Sequence, residues 1–117
     1  GIEVVLVLSG EIDLYRRGEL DNLFKSAVGM NNLTVDLRAV TFADCTLWNA
    51  LVKLHKNRLS LKLATPQVLL GNRLQLRVAR LLRVDELFCF RYTEQVPDKP
   101  FFTLTAIADG LRALTSA

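Results

Sequence analysis

Residues 3–8 of this chain, Glu-Val-Val-Leu-Val-Leu, form an almost unbroken apolar run rich in β-branched side chains. A half-buried strand would show a polar residue at every second position, so this run is typical of a strand that is buried on both faces. Such strands belong to parallel sheets whose faces are covered by helices. The run closes at Ser9-Gly10, where we expect the strand to end. The feature predicts an α/β fold.

Short apolar runs alternate along the chain with segments whose apolar residues recur at helical spacing. Strands are predicted at residues 3–8, 33–37, 67–71 and 88–92. Helices are predicted at residues 14–28, 45–62, 74–82 and 104–114, and in the third of these Leu74, Val78, Leu81 and Leu82 are expected to turn inward. Around Leu61 a strand remains an alternative to the helix. Short links between these segments predict one α/β domain, with a small mixed sheet of about four to five strands packed against about four α-helices.

The composition excludes several classes of protein. Of 117 residues, half are apolar and 23% are charged, as in ordinary globular domains, which excludes a wholly disordered chain. No apolar run approaches the ~20 residues of a membrane span, so membrane insertion is not expected. The net charge of +3 is too small to indicate a nucleic-acid partner. Two cysteines form no disulfide framework or zinc motif, and a reducing cytoplasm is the expected location.

The sequence gives little support for catalysis. It contains no glycine-rich phosphate loop and no Ser/His/Asp set on a strand-turn-helix elbow. His55 is the only histidine and has no second ligand at metal-binding spacing. We therefore predict a protein that is not an enzyme and holds neither a cofactor nor a metal.

Several short segments follow one another in a recognisable order. They are Gly10-Glu11-Ile12-Asp13, Val35-Asp36-Leu37, residues 40–46 (Val-Thr-Phe-Ala-Asp-Cys-Thr) and residues 84–88 (Val-Asp-Glu-Leu-Phe), preceded by Arg80-Leu81-Leu82. Together they resemble the STAS family, the sulfate-transporter and anti-sigma-factor-antagonist domain, over nearly the whole chain. The resemblance implies one STAS-like domain over residues 1–117, with the family's leading edge strand missing before Gly1.

The resemblance also implies a regulatory function in signal transduction and transcription. In the family, an anti-sigma factor with serine-protein kinase activity phosphorylates the serine that follows the Phe-x-Asp motif, and the unmodified antagonist captures that kinase. By position, Asp44 is the motif aspartate, Cys45 occupies the acceptor position and Thr46 the second hydroxyl position. Asp13 matches the acidic residue beside the acceptor. Cysteine does not form the usual phosphate ester, so either Thr46 is the phosphorylation site or the domain binds its partner without modification.

The predicted partner surface is the tip of the second helix. It comprises Asp44, Cys45, Thr46, Trp48 and Asn49, with Asp13 beside it. Trp48 lies about 100° from the apolar stripe of this helix, so it either stands partly exposed as a contact anchor or packs in the core. The expected partner is an anti-sigma factor/serine-protein kinase or another protein of a STAS pathway, and a homo-oligomer is left open. The alternatives are an accessory subunit or domain of a transporter, and a redox sensor in which the helix N-terminus favours a Cys45 thiolate.

Simpler structural explanations stand beside each of these site assignments. Asp13 fits a turn, Asp44 and Thr46 fit a helix cap, and Cys45 and Cys89 fit small buried side chains. Four arginines, Arg73, Arg77, Arg80 and Arg83, follow at spacings of four, three and three and so share one helix face. That face is either simply solvated or a docking strip for an acidic partner.

Overall fold

The computed structural model describes residues 3–92, 102–107 and 110–115, with side chains described for residues 4–88. The strands are β1 (Glu3–Ile12), β2 (Asn32–Ala43), β3 (Gln67–Leu70), β4 (Cys89–Tyr92), β5 (Phe102–Ile107) and β6 (Gly110–Thr115). The α-helices are α1 (Arg17–Ala27), α2 (Cys45–Ser60) and α3 (Arg73–Leu81). Short 3₁₀ helices at Leu14–Arg16 and Val84–Glu86 precede α1 and β4.

The described strands form one sheet in the order β4-β3-β2-β1-β5-β6. All neighbouring pairs are parallel except β5 and β6, which are antiparallel. Strand β1 lies inside the sheet, between β2 and β5, and Val5 on one face is buried like Leu6 on the other, in agreement with the predicted burial of both faces. The α/β class and the mixed sheet are confirmed. The predicted counts are not: the described part holds six strands and three α-helices.

The predicted helix over residues 104–114 is wrong, because β5 and β6 occupy this segment. The sequence Phe-Thr-Leu-Thr-Ala at residues 102–106 alternates apolar and polar residues, which is the period of a strand. The apolar residues of this segment also recur at helical spacing, and that spacing predicts a helix instead. They are Leu104, Ile107, Ala108, Leu111 and Leu114. Pairing decides the outcome, since β5 lies parallel to β1 with Leu104 opposite Leu6.

The hydrophobic core lies between the sheet and its helices. The sheet contributes alternate residues, such as Leu6 and Leu8 of β1 and Val35 and Leu37 of β2. Each of the three helices also contributes to the same cluster, which includes Leu20, Phe24, Leu51, Leu54 and Ala79. The crossovers β1-α1-β2, β2-α2-β3 and β3-α3-β4 all advance in one direction along the sheet, so right-handed connections place the three helices on one face. In the described part, no helix is both long and apolar enough to cross a bilayer.

Helix α3 buries a different face from the one predicted. Of the four residues expected to turn inward, Val78 is half-buried and packs against the core, but Leu74, Leu81 and Leu82 are exposed, whereas Gln75 and Ala79 are buried. The Gln75 amide determines this orientation through hydrogen bonds: its Oε1 accepts from Gly71 N at 2.9 Å and its Nε2 donates to Leu37 O at 2.9 Å. A buried amide that bridges two strands is stabilised by these bonds, so the leucines are left outside.

The Val35-Asp36-Leu37 motif has a structural role on the sheet. Asp36 and Arg38 point to the face opposite the helix-covered core, since they alternate with Val35 and Leu37. Arg38 Nε and Nη2 donate to the Asp36 carboxylate at 2.9 and 2.6 Å, and both side chains are buried. Gly71 lies so close to this pair that a Cβ atom there would stand 2.6 Å from Arg38 Cα. The end of β3 therefore requires a glycine.

Candidate functional site

Strands β1 and β2 both run further than predicted, and their ends build the site. Gly10 has a φ of 77°, and the β1–β2 register shifts on either side of it, so β1 continues through a bulged segment to Ile12 instead of ending. Ile12 pairs with Ala43 at the end of β2. Two connections, β1 to α1 and β2 to α2, consequently leave the sheet side by side.

Asp44 joins these two connections. Its backbone N–H donates to Ile12 O at 3.3 Å, and its Oδ2 accepts from Leu14 N at 3.2 Å. Its Oδ1 accepts from Thr46 N at 2.8 Å, which makes Asp44 the N-cap of α2, as predicted. The Thr46 amide, together with the Thr46 hydroxyl and the Leu14 amide, lowers the pKa of the Asp44 carboxyl. A carboxylate held by these donors fixes the first turn of α2 against the start of α1.

Cys45, Thr46 and Asn49 present their side chains at the tip of α2. Cys45 and Asn49 are exposed, and Thr46 is half-buried. The exposure of Cys45 contradicts the structural explanation in which this cysteine is a small buried residue. Cys89 lies in β4 as predicted, but its side chain is outside the described ones.

A cleft of about 340 Å³ opens beside the tip, between α1 and α2. Its lining residues are Leu14, Arg17, Asp21, Cys45, Thr46, Asn49, Ala50 and Lys53. The walls thus bring two basic side chains, Arg17 and Lys53, to the same cleft as the Thr46 hydroxyl. Arg17 also approaches Asp21 at 3.9 Å across one turn of α1. The cleft combines positive charge with the amino end of a helix, where unpaired N–H groups favour negative groups.

Asp13 lies beside Asp44 through the Ile12–Ala43 pairing, which agrees with its predicted position. Its own carboxylate, however, serves the neighbouring turn: Oδ1 accepts from Tyr15 N at 3.0 Å and caps the 3₁₀ helix Leu14–Arg16. The turn explanation for Asp13 is therefore correct. Tyr15, which the sequence did not single out, is 94% exposed at this edge of the tip.

Trp48 is not an exposed anchor of the predicted partner surface. Only 4% of it is exposed, and it belongs to the hydrophobic core. The buried face of α2 is wider than the stripe of Leu47, Leu51 and Leu54, because the strand ends at residues 40–43 and α3 cover a second side of the helix. Trp48 is therefore not part of the exposed surface at the tip.

The sequence analysis missed Arg58, which holds the other end of α2. Its guanidinium is buried and donates to four carbonyl oxygens: Val28 O at 3.0 Å, Met30 O at 2.5 Å, Asn31 O at 3.1 Å and Ala64 O at 2.8 Å. Burial lowers the pKa of this group. Three of the four acceptors follow the carboxyl end of α1, where the helix dipole favours a cation. No sequence signal distinguishes this arginine from a solvated one.

His55 packs near the same end of α2 and has a structural environment. It is buried, its Nδ1 lies 3.0 Å from Thr65 Oγ1, and its ring stacks at an angle against Phe88 with centroids 5.3 Å apart. Among the described residues, no group of three or more His, Cys, Asp or Glu side chains is arranged to hold a metal ion.

Neither a protein-family model nor a curated protein sequence matches the chain. Solved structures do. One is the crystal structure of a protein from Thermotoga maritima provisionally assigned as an anti-sigma factor antagonist; it shares 18% sequence identity, and the match covers 75% of this chain and 79% of that one with a TM-score of 0.64. Another is the anti-sigma factor antagonist SpoIIAA in its unphosphorylated form, with 12% identity, coverage of 69% and 76%, and a TM-score of 0.55. At these identities the likeness concerns the fold, and the chain has a STAS-like fold.

Proposed function

We propose that this chain is a regulatory protein-interaction module of the anti-sigma-factor-antagonist type, which binds an anti-sigma factor with serine-protein kinase activity through the tip of α2. The contact residues are Asp44, Cys45, Thr46 and Asn49, with Asp13 beside them. The observation that carries the proposal is the exposure of Cys45 and Asn49 around Thr46 on a tip that Asp44 fixes to the β1–α1 connection. A fixed and accessible tip suits a docking protein, because little conformational freedom is lost when it binds.

Thr46 is the proposed phosphorylation site. Its side chain lies in the first turn of α2 and lines the cleft that Arg17 and Lys53 also line. Transfer of the γ-phosphoryl group of ATP would form the Thr46 Oγ1–phosphorus bond, release ADP and leave the hydroxyl proton to a base of the kinase. The phosphate adds about −1.5 to −2 charges beside Asp44. Arg17 and Lys53 in the adjacent cleft would partly balance them, so the partner surface becomes more negative while the core is left intact.

The test uses the purified anti-sigma factor kinase of the source organism. After incubation with the kinase and ATP, mass spectrometry is expected to locate phosphate on Thr46. Calorimetric titration of the kinase is expected to show binding of the wild type and a loss of about tenfold or more in affinity for Thr46→Glu. Ser60→Glu, which adds the same charge at the opposite, exposed end of α2, serves as the control and should bind like the wild type. Absence of phosphate on Thr46 together with absence of binding would refute the proposal.

The exposed Cys45 thiol supports a second candidate function, redox sensing at the same tip. An accessible thiol at a helix start is open to oxidation by peroxides to a sulfenic acid, which thiols reverse. This candidate predicts that hydrogen peroxide weakens partner binding, that a thiol reductant restores it and that Cys45→Ser is insensitive. Binding that is unchanged by peroxide would exclude this function and leave the phosphorylation proposal standing.

A further inference from the structure

The outward face of α3 combines exposed leucines with a row of arginines. Leu74 and Leu81 are 68% and 75% exposed, and at seven residues apart they lie on one line, about 10 Å from each other. The exposed Arg73, Arg77 and Arg80 form the adjacent line. Leucines on a helix are ordinarily turned to the core, but here the buried Gln75 fixes the opposite face inward. The apolar side of α3 therefore remains available to another molecule.

A groove leads from this face to the end of β2. Its volume is about 150 Å³, and its lining includes the exposed Phe42 and Leu74 and the buried Trp48. This volume is below the roughly 300 Å³ of ordinary small-molecule sites, and it suits a single large apolar side chain. A membrane surface is flat and would not fill such a groove, so the groove favours a protein partner over a membrane.

The charge beside the groove is unbalanced. Residues 72–83 contain four arginines and no carboxylate. Asp85 and Glu86 follow in the next turn, yet within the described side chains none of these arginines forms an ion pair. A complementary occupant therefore carries carboxylates next to its apolar anchor.

We propose that the groove and the arginine row of α3 form a docking site for an acidic amphipathic segment of a partner protein. One apolar side chain of the segment enters the groove between Phe42 and Leu74, a second covers Leu81, and carboxylates pair with Arg73, Arg77 and Arg80. This site shares no lining residue with the cleft beside Thr46. It is thus a second surface, separate from that cleft, although Ala43 and Trp48 place it next to the tip of α2.

The probe is a fluorescein-labelled peptide of about 20 residues, with leucines at positions i, i+3, i+4 and i+7 of each repeat and glutamates elsewhere. Fluorescence anisotropy is expected to show binding that weakens as salt is added. Amide shifts in NMR spectra of the labelled protein should be confined to residues 40–43 and 72–83. Arg77→Glu and Leu74→Ser should each lower the affinity about tenfold or more.

The controls are Lys56→Glu and Leu59→Ser, which make the same changes at exposed positions of α2 and should bind the peptide like the wild type. Thr46→Glu should also bind the peptide like the wild type. Loss of peptide binding at α3 can therefore be distinguished from loss of kinase binding at the tip of α2. No peptide binding, binding that the α3 variants leave unchanged, or shifts on another face would overturn the proposal. Co-sedimentation with phosphatidylserine vesicles without peptide binding would overturn it as well, since the face would then bind membranes.

Discussion

At its amino end, α2 is capped by Asp44, one residue before the helix begins; at its carboxyl end, the same helix buries Arg58 among carbonyl groups from distant segments. The cap combines a local bond, from the Thr46 amide two residues on, with a bond from the Leu14 amide 30 residues back, and the neighbouring Cys45 and Asn49 are exposed. The arginine is non-local, with three of its bonds reaching back 27 to 30 residues. One end is fixed yet accessible, whereas the other is sealed into the fold. We therefore expect a charge added at the tip to change the surface without loosening the core.

The largest effect is expected at the sealed end. Arg58→Ala leaves four carbonyl groups without their donor and removes a buried side chain, so the free energy of unfolding should fall by about 3 kcal/mol or more. Arg58→Lys keeps the positive charge but lacks the planar, forked guanidinium. Its free energy of unfolding should therefore lie between those of the wild type and Arg58→Ala. Urea denaturation measures both. The exposed Arg80→Ala is the control, expected within about 0.5 kcal/mol of the wild type. Equal losses for Arg58→Ala and Arg80→Ala would contradict the contrast between the two ends.

A smaller loss is expected at the accessible end. Asp44→Ala removes the cap of α2 and the acceptor for Leu14 N, and should lower the free energy of unfolding by about 1 kcal/mol. The same denaturation experiment measures it, with the exposed Glu11→Ala as the control. A loss as large as that of Arg58→Ala would show that the tip is part of the core.

The cap is also expected to weaken in acid. Hydrogen bonds, chiefly from Thr46, hold the pKa of Asp44 below its ordinary value of 3.8, so the charged form is stabilised in the folded state. The contribution of this charged cap to the free energy of unfolding is fully present above pH 3.8, the ordinary pKa. It is lost as the pH falls through the lower pKa of the folded state. Asp44→Asn still accepts from Thr46 but does not titrate. The stability difference between the wild type and Asp44→Asn should therefore shrink below about pH 4. A difference that stays constant to pH 2 would argue against the charged cap.

The smallest effect on the fold is expected from Cys45→Ser. The side chain is exposed, so the free energy of unfolding should change by less than about 0.5 kcal/mol. The variant restores a hydroxyl at the position that carries the acceptor in the resembling family. With the anti-sigma factor kinase and ATP, mass spectrometry should then find phosphate on Ser at this position in addition to Thr46. A marked loss of stability would show that the tip tolerates little change.

The sequence predicted the strand-helix alternation and the cap correctly because both depend on neighbours in the chain. Apolar periodicity located β1 to β4 and α1 to α3, and an aspartate before an apolar helix located the cap. The resemblance to the STAS family agrees with the observed fold. The last predicted helix failed because residues 102–115 satisfy helical and strand periods alike, and pairing with β1 decided between them.

The sequence by itself determined that this chain forms an α/β domain and that Asp44 starts α2, since periodicity and capping are written into residues only a few positions apart. Only the tertiary structure decided that Trp48 is buried, that Leu74 and Leu81 are exposed and that Arg58 is sealed among carbonyls. These outcomes depend on what other parts of the fold supply: a covering helix, connecting segments with free carbonyl groups, or a bridging amide such as Gln75. Burial is a property of the assembled neighbours, and no spacing along one helix specifies it.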